Sequence, residues 1–410
     1  CYLPRHLMIY MSITQNINVL KEYDYVIVGA GIVGLTISFE LLKMYPNKTV
    51  LILEKSSKLG DGQTGNNSGV IHSGIYYKPK SLKSRLCLEG HDLLVKYLEN
   101  KGIPYQNNGK LIVSNSRSES VELDKLELNA KHSNIPCSRL SKSELNLIDD
   151  EVIGDDALFV KSAKTVDYLD VICSLKEDLI NLGADFLFGS FVSKINNKEV
   201  IIKSKEGVIV KDKIIVSAGL GIDKIARSDF YFTVGFKGRY LKSKRFRKGT
   251  SLVYPAPNPK LPFLGVHTCM QNDEFEYFGP NAVFSFAKSP LFLMKMSNNY
   301  FFKLGFYKLL LSNWKVGLRE VLITNSDFFF KKELKKIIRI GQPSIEKGFF
   351  GVRAQCVSPS GDLVDDFVIE ENDNLIILRN VPSPAATSSF AIAKYVLETF
   401  VLKTNLNENG

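Results

Sequence analysis

Apolar and polar positions change their rhythm sharply within the first sixty residues of the described order. Tyr25–Val28 is an uninterrupted apolar run, and Val50–Leu53 is another. Short runs of this kind predict strands buried on both faces, as in a parallel sheet. Between them lies an amphipathic helical stretch, entered through Gly29-x-Gly31-x-x-Gly34, and the second run ends on Glu54. Each part suits a dinucleotide. Gly29 makes the tight turn, Gly31 lets backbone approach a pyrophosphate, and Gly34 permits close helix–strand packing. The helix start offers free N–H donors and the positive dipole end, and Glu54 sits where an acid accepts bonds from a ribose. The unit as a whole, rather than the glycines alone, points to a dinucleotide site.

Further along, the pattern loses its apolar runs in a long Gly, Ser and Asn-rich loop, Lys58–Tyr76. A connection this long inside a compact domain is usually functional. An amphipathic helix is expected over about Ser81–Lys101 and a strand over Gly109–Ser114, with residues 115–150 reading as polar helical material. Leu169–Leu182 has helical periodicity stopped by Gly183. Alternation then predicts strands at Phe186–Ile195, Glu199–Ser204 and Val208–Val210, leading into the apolar run Lys213–Gly221. Such a meander suggests a chain rejoining its first sheet. Residues 231–349 form a separate block. The strand Leu375–Leu378 and the segment Asn380–Ala393 follow, with Ser383 placed as an N-cap and Pro384 in a first helical turn.

These readings predict an α/β chain with a discontinuous first domain, 23–100, 165–230 and 350–405, and a second of mixed antiparallel sheet and helices, 101–164 and 231–349. Residues 1–22 are expected to lie outside both, disordered or a non-native start. They carry neither a long apolar core nor an Arg/Ser-rich amphipathic pattern, so no signal peptide is expected. A chain of 410 residues can bury two cores. Its formal charge of +10 is spread along the sequence, as on a solvated surface, and also suits anionic substrates or an anionic membrane face. Clustered Arg/aromatic modules are absent, which argues against nucleic acid. The six cysteines are far apart with no histidine at metal spacing, so neither a metal site nor a disulfide framework is expected. No apolar run is long enough for a transmembrane helix.

Several stretches, in order, carry a resemblance: Asn67–Tyr77 (N-S-G-V-I-H-S-G-I-Y-Y), Gly109–Val113, Pro262–His267, Gly279–Val283, Gly351–Gln355 and Pro382–Ser389. The chain resembles the glutathione-reductase-like flavoproteins of the D-amino-acid-oxidase superfamily, and within them the L-2-hydroxyglutarate dehydrogenases/oxidases. The resemblance implies a Rossmann-type FAD-binding domain holding extended FAD. The cofactor-binding positions it implies are Gly29, Gly31, Gly34, Glu54 and Lys55 at the adenosine end, Thr64, Asn67 and Ser68 in the loop, Val192, Ala218 and Gly219, and Ser383, Pro384 and Ala385 at the last helix. It also implies oxidation of a small dicarboxylate, L-2-hydroxyglutarate, to 2-oxoglutarate, with a quinone or oxygen taking the electrons. The compartment it implies is cytoplasmic, at the inner membrane surface, or mitochondrial in a eukaryote.

Within that reading His72 is the candidate base, since a near-neutral pKa suits the task; attachment of FAD through this histidine stays open. Arg353 lies in a G-x-R stretch resembling the superfamily's carboxylate clamp, and a planar guanidinium holds a carboxylate in two parallel bonds. Lys110 is a candidate for the distal carboxylate or for a structural ion pair. His267, Asn281 and Tyr76 are further candidates. The chain departs from the family pattern at Arg239, Cys269 and Glu274, all in the second block, which bears on substrate choice. Alternative readings are a related flavoprotein for glycerol 3-phosphate or an amino acid, and a non-catalytic FAD-binding scaffold. Alternating aromatics and lysines over Lys288–Lys336 suit either a substrate-domain helix layer with a solvated basic side or an anionic bilayer surface.

Overall fold

The computed structural model describes residues 22–203, 207–259, 261, 264–270, 274–284, 303–341 and 345–402. The expectations for residues 1–21, and for Pro262, Phe263 and 288–302, lie outside the described residues.

The two apolar runs become adjacent strands. β1 (Glu22–Val28) lies between β2 (Val50–Leu53) and β12 (Val208–Val216), parallel to both. Beyond β2 comes β9 (Asp185–Leu187), and β20 (Leu375–Asn380) pairs in parallel with the end of β12. Antiparallel strands β11 (Glu199–Ile202), β10 (Val192–Asn196) and β19 (Val368–Asn372) complete this eight-stranded sheet. Start, middle and end of the chain thus share one sheet.

Period-two alternation divides β1 between two cores. Tyr25 and Ile27 face a layer of helices: α1 (Ile32–Met44), α2 (Leu82–Lys101), α5 (Tyr168–Asn181) and α9 (Ala385–Val396). Val26 and Val28 face Val192, Val200, Ile202 and Ile222 from β10, β11 and the short α6 (Ile222–Ile225). Burial on both faces is why the run had no polar residue in it.

Three smaller sheets build the rest. One holds β15 (Thr268–Met270), β16 (Phe275–Phe278), the long β13 (Phe232–Lys244), β17 (Val283–Phe284) and β18 (Glu346–Val357), the last paired along most of β13. A second holds β14 (Leu252–Pro255), β5 (Lys110–Ser114), β7 (Asp156–Val160) and β6 (Cys137–Ser141). A third holds β3 (Val70–Ile71), β8 (Lys164–Val166) and β4 (Tyr105–Gln106). Helices α3 (Arg117–His132) and α4 (Lys142–Ile148) flank the second of these, while α7 (Leu304–Asn325) and α8 (Asp327–Leu334) cover outer strands.

Four local expectations change. Phe186–Ile195 is not one strand but the end of β9 and the start of β10, broken at Gly189, which adopts φ +63°. Val208–Val210 and the start of the following apolar run, through Val216, are a single strand, whereas Gly219–Gly221 forms a 3-10 turn. Within 115–150 a strand, β6, separates the helices. The boundary at 350 falls inside β18, whose register with β13 runs from Val357 to Glu346, so residues 350–357 pair with the second block.

Candidate active site

At the dinucleotide end, geometry enforces the glycines. Gly29 has φ +111°, and a Cβ there would lie 2.6 Å from the Ser217 carbonyl oxygen. A Cβ on Gly34 would sit 2.1 Å from the Gly29 carbonyl oxygen, so α1 is pressed directly onto the turn. The first turn of α1 carries no acid, leaving its positive end for phosphate. The Ile32 N–H donates to Thr64 Oγ1 at 3.1 Å, tying the glycine-rich loop to the helix start. Asn67 folds the loop on itself: its Oδ1 accepts from Gly69 N at 2.7 Å and its Nδ2 donates to Thr64 O. Ser68 lies beside Tyr240, whose hydroxyl it bonds.

Glu54 accepts from Ala30 N at 3.0 Å and Ser56 N at 2.9 Å, which anchors the carboxylate beside the turn. Each oxygen keeps a lone pair for a ribose hydroxyl. Ser190 N donates to Glu54 O, bringing Val192 to this end. Lys55 is exposed and close enough to Lys224 for their charges to repel. Ser217 donates to the Gly29 carbonyl at 3.1 Å, so Ala218 and Gly219 follow directly from the turn's neighbour. These residues fit an extended dinucleotide.

The other end is a cluster of buried polar groups. Lys110, first residue of β5, is fully buried, and its Nζ has no hydrogen-bond partner among the described residues. It lies 4.4 Å from the Tyr254 ring centroid and 5.2 Å from that of Tyr76. Burial pushes its pKa down to about 8. The hydroxyls of Tyr76 and Tyr254 are likewise buried without a partner among the described residues. Tyr254 also stacks on His267, centroids 3.9 Å apart. His267 Nδ1 sits 2.8 Å from Gly265 O, which assigns the proton to Nδ1 and leaves Nε2 as an acceptor. Burial, with Lys110 nearby, pushes its pKa down to about 3, so it is neutral.

His72 follows β3. Its main-chain N–H donates to Thr387 Oγ1 at 3.0 Å, and its Nε2 lies 3.4 Å from Ser383 Oγ. Burial holds its pKa well below the ordinary value, and the cationic charges of Lys110 and Arg353 act in the same direction. The other three catalytic candidates, Lys110, His267 and Arg353, therefore lie within electrostatic reach of one imidazole. Arg353 lies opposite Phe236 in the β13–β18 ladder and within electrostatic reach of Tyr77 and Asp365.

Some expectations fail. Ser383 is not the N-cap of α9; Pro384 is, and no side chain caps that helix. The Ser383 hydroxyl instead faces His72 and Tyr77, so it belongs to the site by another route. Asn281 does not enter the cluster: it accepts from Arg239 N at 3.2 Å and donates to Glu320 O and Thr324, joining β13 to α7. Arg239 pairs with Asp327 and the Thr324 carbonyl, so this departure from the family pattern spends its charge elsewhere. Cys269 is buried, bonds the Gly279 carbonyl and lies near Lys110. Sequence reasoning missed Tyr77, Tyr240, Tyr254 and Gln63, the last accepting from Ala354 N at 2.9 Å to join loop and strand β18. Adjacency of Tyr77 to Tyr76 was a usable signal; tyrosines on distant strands offered none.

A parallel sheet with a glycine-gripped pyrophosphate seat, opening on a buried cationic cluster, defines a flavin-dependent oxidoreductase. The chain belongs to the FAD-dependent oxidoreductase family, which matches residues 24–399, and FAD is its cofactor. It is 36% identical to L-2-hydroxyglutarate dehydrogenase of Indibacter alkaliphilus, over 92% of this chain and 98% of that one. It is 34% identical to the human mitochondrial L-2-hydroxyglutarate dehydrogenase, over 92% and 88% respectively. Among solved structures, FAD-bound L-alpha-glycerophosphate oxidase of Mycoplasma pneumoniae superposes with a TM-score of 0.73 at 20% identity, over 92% of this chain and 94% of that chain. Glycine oxidase of Geobacillus kaustophilus gives 0.68 at 15% identity, with the same coverage. The structural likenesses speak to the fold alone.

Proposed function

We propose that this chain oxidises L-2-hydroxyglutarate to 2-oxoglutarate. The observation that carries the reading is Lys110, a buried cation without an acidic partner among the described residues, sharing one cluster with Arg353. An isolated buried ammonium is costly, and an anion arriving beside it offsets that cost. A five-carbon dicarboxylate brings two. Arg353 takes the carboxylate next to the reacting carbon and Lys110 the distal one, which fixes the C2–H bond in space.

Bound FAD supplies a two-electron acceptor for the C2 hydride. The protein's own groups do the rest. His72 is neutral at physiological pH and accepts the hydroxyl proton as the carbonyl forms. Negative charge on the bound substrate raises the basicity of that imidazole, because it offsets the cations that depress it. His267 presents Nε2 as a second acceptor, and the stacked Tyr254 and Tyr76 rings keep water from Lys110. Electrons leave to a quinone or to oxygen.

Anaerobic mixing tests the assignment. L-2-hydroxyglutarate is expected to bleach the flavin absorbance, and glycerol 3-phosphate or glycine to leave it unchanged. Bleaching by one of the latter, with L-2-hydroxyglutarate inert, overturns the substrate.

A further inference from the structure

A histidine acts as a base through one ring nitrogen only, and the other nitrogen's hydrogen bond decides which. In His72 the two nitrogens have different surroundings. Nδ1 is buried with no hydrogen-bond partner among the described residues. Nε2 lies 3.4 Å from Ser383 Oγ, and the Ser383 hydroxyl is also bonded to Tyr77. The backbone of His72 is pinned on both sides, its N–H by Thr387 Oγ1 at 3.0 Å and its carbonyl by Cys87 Sγ at 3.6 Å.

Ser383 has its hydroxyl to spare for this contact. It stands just ahead of α9, yet no side chain caps that helix, so the hydroxyl is not spent on the backbone N–H groups that a capping serine satisfies. Its single proton has two claimants, His72 Nε2 and the Tyr77 oxygen. Given to Tyr77, it leaves the Ser383 lone pairs to accept from Nε2–H. Tyr77 is itself seated: Lys83 Nζ lies 5.4 Å from its ring centroid, and that lysine is buried and paired with Asp365 at 3.0 Å. The charged neighbours of His72, Lys110 and Arg353, are both cations, and His267 beside them is neutral. Positive surroundings favour a lone pair over an N–H at the buried nitrogen.

We propose that Ser383, held by Tyr77, keeps the resting proton of His72 on Nε2 and so makes Nδ1 the nitrogen that accepts the substrate's hydroxyl proton. The inference deepens the oxidation proposed above and rests on His72 as its base. The hydroxyl O–H bond breaks as an N–H bond forms at Nδ1, and the C2–H electron pair leaves with the hydride to FAD. The resulting imidazolium keeps its Nε2–H on Ser383. Ser383 and Tyr77 act through His72 and are positioning residues.

The tautomer is read without substrate, by long-range proton–nitrogen correlation spectra of the FAD-loaded protein labelled with ¹⁵N-histidine. His72→Gln identifies the signal among the five histidines. The expected result is the Nε2–H form in the unsubstituted protein and a shift toward Nδ1–H in Tyr77→Phe, where the Ser383 proton turns to Nε2. Under anaerobic mixing, Ser383→Ala should lower the rate of flavin reduction at least about tenfold with KM little changed, and Ser383→Thr, which keeps a hydroxyl, should recover most of it. An Nδ1–H signal in the unsubstituted protein overturns the proposal, as does Ser383→Ala reducing at the full rate. A loss that Ser383→Thr does not restore and that follows flavin content assigns Ser383 to the cofactor seat instead. L-2-hydroxyglutarate inert toward the unsubstituted protein overturns the substrate assignment alone; the tautomer still decides the role of Ser383, and the rates are then read with the compound that bleaches the flavin.

Discussion

In the proposed reaction, Lys110 and His72 are expected to bound the pH range from opposite sides. The pKa of Lys110 is lowered to about 8, so its ammonium is present below that pH and lost above it. KM for L-2-hydroxyglutarate is therefore expected to rise as pH climbs through about 8. Lys110→Arg, whose guanidinium stays charged, should move that limb upward, whereas Lys110→Met should raise KM roughly a hundredfold and remove the limb. His72 must be neutral to accept a proton. Its pKa is depressed, so the acid limb of kcat/KM should fall below the ordinary histidine range. His72→Gln is expected to lower kcat by about 10²–10⁴-fold while flavin content per protein stays constant. A variant of undiminished kcat would remove His72 from the proton transfer.

Strands β14, β15 and β16 hold the wall around Lys110, and a buried ionic cluster fastens them. Arg247 is fully buried; it pairs with Asp149 at 2.8 Å and donates through Nε to Glu276 at 2.7 Å. It also donates to the Ser251 carbonyl and lies 3.4 Å from Thr268 Oγ1, which accepts from Val253 N at 2.8 Å. Replacing Arg247 by Met strands two buried carboxylates and is expected to cost about 3–5 kcal/mol in urea unfolding. At the other end, α1 tolerates no side chain at position 34, since even a Cβ meets the Gly29 carbonyl. Gly34→Ala should push the helix from the turn and yield protein with a reduced ratio of flavin to protein absorbance. Full flavin occupancy in that variant would show that the pyrophosphate seat does not depend on this contact.

Across the whole molecule, the proposed cofactor seat draws on β1–α1, the loop 64–68, β12 and the start of α9, which lie far apart in the chain. Binding to the native state alone stabilises by mass action. Stripping FAD should therefore lower the thermal midpoint by several degrees, and added FAD should restore it in a concentration-dependent way. What the amino-acid order determined by itself was local: the strand–glycine–helix–strand unit, the helix stop at Gly183, and the residue types able to hold a carboxylate. Those signals act over a few residues, through φ restriction, dipoles and 3.6- or 2-residue periodicity. Ser383 shows the limit of such signals, because a good capping residue is drawn to His72 and Tyr77 instead. The pairing of residues 350–357 with β13, the diversion of Asn281 and Arg239 into the β13–α7 contact, and the meeting of His72, Lys110, His267 and Arg353 were decided only in three dimensions. Each depends on strands brought together from opposite ends of the chain, and burial, which tunes Lys110 and silences His267, exists only once those strands have packed.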